Sequence, residues 1–390
     1  MNGQTLVQWE EGGQVRSARW RSESGTPPPR RVQLADDTLT ANAAFRLASE
    51  GTTLLWRGDF QNARQLLLAL ARRIDKPKKA KKSQRGAIPA PAIPLEAFHL
   101  HRQAQAQRAR TLGMLVLEFD GLHQIGLRRA PDVTLACTEA YGSGDAAQSS
   151  CLASLRELLG LIGAHEWRKK GIAIAALGGA HIHPHYGVFA PLRSEYLGLL
   201  ADAPLPPALA ASSVAFDIGT GTGVLAAILA RRGVQRVVAT DQDPRALACA
   251  RENLARLGLS GQVTLQETNL YPEGHASLIV CNPPWVPARP SSPVEHAVYD
   301  PDSRMLRGFL DGLAAHLAPG GEGWLILSDL AEHLGLRLRS DLLAWIDAAG
   351  LQVLSRLDAR PQHAKVFDVS DALHSARAAE TTSLWRLAAI

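Results

Sequence analysis

The stretch VAFDIGTGTGVLAAILARRG, residues Val214–Gly233, decides the fold. Five strand-like residues run into three alternating glycines, Gly219, Gly221 and Gly223, and then into an apolar helical segment that stops at Gly233. Glycine lets the backbone turn tightly and lets a ligand touch the main chain. Strand, glycine turn and helix in that order open a β–α–β unit, and the alternation continues. RVVATD (Arg236–Asp241), QVTLQ (Gln262–Gln266), SLIVC (Ser277–Cys281), GWLILSDL (Gly323–Leu330), LQVLSRL (Leu351–Leu357) and TSLWRLA (Thr382–Ala388) read as strands. PRALACARENLARLG (Pro244–Gly258), RMLRGFLDGLAAHLAPGG (Arg304–Gly321) and LRSDLLAWIDAAG (Leu338–Gly350) read as helices. The fold class is therefore α/β, a doubly wound, seven-stranded, mostly parallel and Rossmann-like sheet. The last two strands lack an intervening helix, so the final one is expected to enter antiparallel. Such sheets bind ligands at the carboxyl ends of their strands.

The glycines follow an unusual spacing for a nucleotide turn. A dinucleotide-binding turn has GxGxxG, whereas here Val224 stands where the third glycine belongs, so a pyrophosphate cradle is poorly supported. Asp241 ends the second strand, where an acid accepts hydrogen bonds from ribose hydroxyls; Asp243 is the neighbouring candidate. Asn269, in ETNLYP, ends the third strand where an adenine amino group could be read. Together these residues describe a pocket for an adenosine without phosphates.

A second stretch, LIVCNPPWVP (Leu278–Pro287), ends a buried strand in Asn282, Pro283, Pro284 and Trp285. Prolines cannot donate a backbone hydrogen bond. A strand that ends this way holds carbonyl oxygens, a side-chain amide and a flat ring stiffly at its tip. The bland alternative is a rigid corner with Trp285 in the core.

DIGTGTG, ATDQDP, NLY and CNPPW, in this order and spacing, resemble the class I S-adenosylmethionine-dependent methyltransferases over about residues 186–390. NPPW is similar to the [DN]PP[FYW] signature of the branch that methylates planar nitrogens: adenine N6, guanine N2 or the glutamine amide. The resemblance implies S-adenosylmethionine as cofactor, held by Asp217, Gly219, Thr220, Gly221, Gly223, Asp241, Asn269 and Asn282. It implies Asn282, Pro283, Pro284 and Trp285 as the catalytic tip. The Asn282 side-chain oxygen and the Pro283 carbonyl can each accept one N–H of the target, turning the nitrogen lone pair toward the methyl donor. The prolines stiffen that arrangement, and Trp285 offers a stacking face worth ~1–3 kcal/mol per base. No metal is expected.

Two groups within the branch compete. VFAPLRSEYL (Val188–Leu197) and VYDPDSRMLRGFLDGL (Val298–Leu313) resemble parts of the release-factor glutamine methyltransferases, although the PRPETE-like segment is degraded and only Gly308 and Asp311–Leu313 echo the GGxDGL element. The ribosomal RNA guanine-N2 methyltransferases resemble this chain in a large N-terminal extension and in GVF before the glycine turn. Their signature, however, ends in Phe-His where this chain has Trp285–Val286. The expected acceptor is an RNA base, with RNA or the ribosome as partner; a protein bearing a glutamine is the alternative, and a methyltransferase fold that serves only as an RNA-binding module is a further one.

Charge carries that preference. Residues 1–110 hold 19 of the 42 Lys and Arg but 9 of the 37 Asp and Glu, so the net +5 belongs to the N-terminal third. Lys76, Lys78, Lys79, Lys81, Lys82 and Arg85 are candidate nucleic-acid contacts in a flexible Lys/Pro-rich linker at 75–94. The domain reading is a basic α/β N-terminal region at 1–110, a connecting α/β region at 111–180 and a methyltransferase domain at 181–390. The first forty residues read as a loose arm, and LGMLVLEF and DVTLAC as β-like. His181, His183 and His185 would share one strand face, but without a carboxylate or cysteine at metal spacing they read as a polar rim or surface. Tyr186–Phe189 is expected to fold over the cofactor, as in the relatives. Cys281 reads as a packing residue. Four cysteines without a CxxC pair, and no run of ~18 apolar residues, point to a cytoplasmic protein with free thiols.

Overall fold

The computed structural model describes residues 5–76, 94–290, 295, 297–361, 364–369 and 371–390. The chain forms two units, one of residues 1–90 and 99–166 and the other of residues 91–98 and 167–390.

The first unit holds a six-stranded sheet. Its strands are β1 (Leu6–Glu11), β2 (Gln14–Trp20), β3 (Val32–Ala35), β4 (Thr53–Trp56), β5 (Leu115–Phe119) and β6 (Cys151–Ser154), in the order β1-β2-β6-β5-β4-β3. The expected loose arm is thus part of a sheet. Gly12 and Gly13, at φ of 61° and 74°, make the two-residue turn that joins β1 to β2 antiparallel, because that hairpin turn needs positive φ at both positions. Val7 and Trp9 then point inward together, two residues apart. The 111–180 stretch divides: β5 and β6 complete this first sheet, while its last residues belong to the second unit. DVTLAC is not β-like. Thr134–Tyr141 is a helix: Val133, Ala136, Cys137 and Ala140 bury at helical spacing, and Asp132 Oδ1 accepts the Thr134 N–H at 2.9 Å just ahead of it.

The second unit carries a short pair, β7 (Ile172–Ala173) with β8 (His181–Ile182), and the expected seven-stranded sheet. Its strands are β9 (Val214–Ile218), β10 (Arg236–Asp241), β11 (Val263–Glu267), β12 (Ala276–Cys281), β13 (Leu317–Ser328), β14 (Leu351–Ala359) and β15 (Thr382–Ala389). The order is β11-β10-β9-β12-β13-β15-β14, and β15 runs antiparallel to both β13 and β14, as expected, although a short helix, His374–Ala379, lies between β14 and β15 where the sequence reading has none. β12 is buried along its whole length, the mark of a central strand covered on both faces. The core lies on the two sides of this sheet. The helix Val224–Arg231 packs with Leu278 and Val280 on one side; the helix Arg304–His316 packs with Ile279 and Leu325 on the other.

No helix among the described residues is long and apolar enough to cross a membrane. All four cysteines are free and buried, Cys281 among them.

Candidate active site

Four neighbouring strands bring the sequence motifs to one edge of the sheet. Ile218 of β9 sits in register with Thr240 of β10 on one side and Cys281 of β12 on the other, and Asp241 is level with Glu267 of β11. The residues that follow these tips, Gly219, Asn282 and the turn holding Asn269, therefore emerge side by side with Asp241.

The glycine turn uses the left-handed backbone region, which glycine adopts freely. Gly219, Gly221 and Gly223 have φ of 73°, 54° and 82°, a region costly for any residue with a Cβ. A Cβ on Gly223 would also stand 3.2 Å from the Cα of Ala250 in the neighbouring helix, and one on Gly219 would stand 2.5 Å from Cε of Met305. The Thr220 N–H donates to the Thr240 carbonyl at 2.8 Å, pinning the turn to β10. From below, the buried side chain of Asn253 donates to the Thr222 carbonyl at 3.0 Å and accepts the His183 N–H at 2.8 Å. One amide thus couples the turn to the segment entering Tyr186–Phe189.

Asp217 is fully buried at the end of β9. Its Oδ2 accepts Thr220 Oγ1–H at 2.6 Å and the Ala226 N–H at 3.0 Å, whereas Oδ1 has no partner. Burial raises its pKa to about 6, against the lowering effect of those two bonds. Asp241 accepts the Gly221 N–H at 3.0 Å through Oδ2 and the Asp243 N–H at 3.0 Å through Oδ1. Burial raises its pKa also, opposed by these backbone donors. Asp243 instead caps the helix Pro244–Arg256 by accepting the Arg245 N–H. Asn269 is exposed beside Leu270, a non-glycine residue at φ 67°. Thr240 Oγ1 donates to the Leu270 carbonyl at 2.6 Å and holds that turn. Gly308 and Gly312 are the notches that receive Leu270 and Tyr271, since a Cβ on either would meet those side chains at 2.7 and 2.5 Å.

At the tip of β12, Pro283 is buried and Asn282, Pro284 and Trp285 are half-buried. Trp285 Nε1–H donates to Asn282 Oδ1 at 2.8 Å. The ring of Tyr196 stands at 88° to the indole with centroids 6.4 Å apart, and the Arg193 guanidinium carbon lies 5.2 Å from the indole centroid. Beyond the tip, Val286 exchanges backbone hydrogen bonds with Val298 and Asp300. The buried Asp300 carboxylate accepts the N–H groups of Met305 and Leu306 at the head of the next helix. Of the four residues between Asp300 and Met305, Asp302 and Ser303 have positive φ, 58° and 52°. With Leu270, three of the five left-handed non-glycine residues in the described chain gather at this edge; such strain concentrates at functional sites.

Sequence reading does not single out Arg193, Ser328, Glu380, Asp300, Met305 or Asn253. Asp300 is within its reach, since DPDS before an apolar run is a helix-start pattern. Nothing in the local sequence ties Arg193 to Glu380. Lys76 is exposed beyond the helix Phe60–Ile74, while Lys78, Lys79, Lys81, Lys82 and Arg85 lie outside the described residues. The three histidines do not share a strand: β8 ends at Ile182. His183 Nδ1 pairs with the Arg168 carbonyl at 2.7 Å, and His185 Nε2 with Glu252 at 3.0 Å. Among the described residues no three metal-type side chains gather.

These residues fit an adenosine bearing a methionine-like cation. The Gly221 position is open, a Cβ there meeting nothing within 4 Å. Asp241 keeps lone pairs for hydroxyl donors, and the unpartnered Asp217 Oδ1 is a buried acceptor beside the turn.

Six parallel strands with one antiparallel member, and the row of loops at their carboxyl edge, make this a Rossmann-like sheet. Residues 182–335 match the family model described as methyltransferase small domain. Among curated relatives, a release factor glutamine methyltransferase of Cereibacter sphaeroides is 32% identical over 186 residues, 43% of this chain and 63% of its own length. Another, of Mycolicibacterium smegmatis, is 38% identical over 149 residues, 37% of this chain and 51% of its own. A ribosomal protein L11 methyltransferase of Pelotomaculum thermopropionicum is 37% identical over 144 residues, 36% of this chain and 39% of its own. The chain thus spans 39% to 63% of the length of these relatives.

Proposed function

We propose that the second unit transfers a methyl group from S-adenosylmethionine to a planar exocyclic amine or amide nitrogen. The observation that carries this reading is the register of Cys281 with Ile218, which sets the Asn282 acceptor directly beside the Gly219 turn. S-adenosylmethionine, when bound, supplies the electrophilic methyl. Asp241 takes the ribose hydroxyls, and the backbone of Gly219–Gly223 lies under the cofactor. Asn269 reads the adenine edge, and Asp217 anchors Thr220 and the start of the helix. Asn282 Oδ1 and the Pro283 carbonyl accept N–H groups of the target. A delocalised nitrogen is a weak nucleophile, so fixed acceptors that turn its lone pair toward the methyl accomplish most by positioning. Four free, buried cysteines support a reducing, cytoplasmic setting.

For the acceptor, the basic residues concentrated in 1–110 favour an RNA base. The names of the relatives favour a glutamine amide as the second reading. Incubation with methyl-labelled S-adenosylmethionine, ribosomes and soluble extract from cells lacking the protein separates them. Label released by ribonuclease as a modified nucleoside supports the first, and label recovered as methylglutamine after proteolysis supports the second. No transfer to any fraction, with no cofactor binding by calorimetry, overturns both.

A further inference from the structure

We infer that Arg193 and Glu380 are positioning residues that hold Trp285 as an orienting donor for Asn282, so that the ring serves to aim the acceptor amide and not as a stacking platform. The consequence for transfer rests on the N-methyltransferase reading; the arrangement itself does not.

A side-chain amide has an oxygen and an NH₂ of nearly equal size, and a flip exchanges them. Flipped, Asn282 would face a target N–H with donors and repel it. An indole N–H only donates, so its 2.8 Å bond to Oδ1 selects one of the two orientations and leaves the second lone pair of that oxygen for the target. The bond works only if the indole itself is held.

Two groups touch it, Arg193 and Tyr196. The Arg193 guanidinium lies over the ring at 5.2 Å, a cation–π contact. Arg193 is fixed in turn by a two-point pair with Glu380, at 2.9 and 2.8 Å. The Glu380 side chain is wholly buried and also accepts Ser328 Oγ–H at 2.6 Å at the end of β13. The edge-on ring of Tyr196 constrains the indole further. The connected groups run from Ser328 through Glu380, Arg193 and Trp285 to Asn282. The indole is half-buried, with Arg193 over it and Tyr196 against it.

The test uses the full chain labelled with ¹⁵N at tryptophan, the Trp285 signal being identified by its loss in Trp285→Phe. The wild-type Trp285 indole proton is expected to exchange slowly with solvent. Arg193→Gln is expected to raise that exchange at least about tenfold, the loss of one charged interaction, while S-adenosylmethionine affinity by calorimetry stays within about threefold, under 1 kcal/mol. Arg193→Lys, which cannot reproduce a planar two-point pair, does not restore protection. Trp285→Phe keeps a smaller aromatic face and loses the N–H. It is expected to lower transfer from labelled cofactor at least about tenfold at unchanged cofactor affinity. Equal protection in Arg193→Gln and wild type, or near wild-type transfer by Trp285→Phe, overturns the inference. A wild-type protein with a protected indole but neither cofactor binding nor transfer sinks the methyltransferase reading and leaves the positioning intact.

Discussion

Asp241 Oδ2 accepts the backbone N–H of Gly221 at 3.0 Å, so the expected ribose acid and the glycine turn are one hydrogen-bonded unit. A change at Asp241 consequently acts twice, on the contact to the ribose and on the shape of the turn. Asp241→Ala is expected to weaken S-adenosylmethionine binding by about 1.5–3 kcal/mol, the worth of hydrogen bonds to a charged acceptor. Isothermal calorimetry measures this directly; an affinity equal to wild type would remove Asp241 from the cofactor site.

In the proposed reading Asn282, at the tip of β12 beside the turn, meets the target nitrogen. Asn282→Ala is expected to lower transfer by roughly 10²–10³-fold, as for the loss of one preorganised group at a reacting centre. Cofactor affinity should stay near wild type. Turnover unchanged by this substitution would refute the mechanism.

The steric demands of the turn are separable. Gly223→Ala meets the backbone of Ala250 at 3.2 Å as well as an unfavourable φ of 82°, so it should lose about 1–3 kcal/mol of stability. Gly219→Ala meets the flexible end of Met305 instead. Adding Met305→Ala should relieve the collision and leave only the backbone term of about 1–2 kcal/mol. Denaturant titrations of the singles and the double give the coupling; additive effects would show that Met305 does not press on the turn.

Asp217 has a pKa raised by burial to about 6 from an ordinary 3.8. The folded chain binds this proton more tightly than the unfolded chain does. Its contribution to stability is therefore complete below pH 3.8 and lost as pH rises through about 6, at a slope approaching 1.4 kcal/mol per pH unit. Asp217→Asn cannot titrate, so the stability of wild type relative to this variant should fall between these limits and level off above. Paired melts across pH 4 to 8, without cofactor, check it; a constant difference would mean that Asp217 is charged throughout.

If RNA is the acceptor, replacing Lys78, Lys79, Lys81 and Lys82 by Gln should flatten the salt dependence of binding, by roughly 0.7–0.9 in log–log slope for each phosphate no longer neutralised. Filter binding of ribosomal RNA at graded salt measures this. An unaltered slope would make the lysine run a linker.

The seven-stranded sheet is readable because its central strands are apolar runs, β12 throughout, and helices of clear period follow several of them. The first sheet was harder. β2 is mostly exposed and its polar residues look like loop, so only the Gly12–Gly13 turn betrays the hairpin. DVTLAC misled because a helical spacing of small residues within six letters is indistinguishable from a strand. At the tip of β12 the residue types were legible and their bonding was not. Sequence suggests that Trp285 stacks on a target; it cannot show that its N–H is committed to Asn282, or that a glutamate 187 residues from Arg193 completes the arrangement.

The wide separation of Arg193 and Glu380 also bears on how the site matures as the chain folds. Asp217 to Asn269, the residues proposed for the cofactor, lie within one stretch of the sequence, and their strands pair as neighbours. The Arg193–Glu380 pair closes a loop of 187 residues, and long closures come late because their entropy must be met before the pairing rewards it. On refolding from denaturant, cofactor binding should therefore return before the Trp285 indole is protected, which stopped-flow binding and pulsed exchange can time. In that interval the chain would hold a methyl donor with its acceptor amide still free to flip.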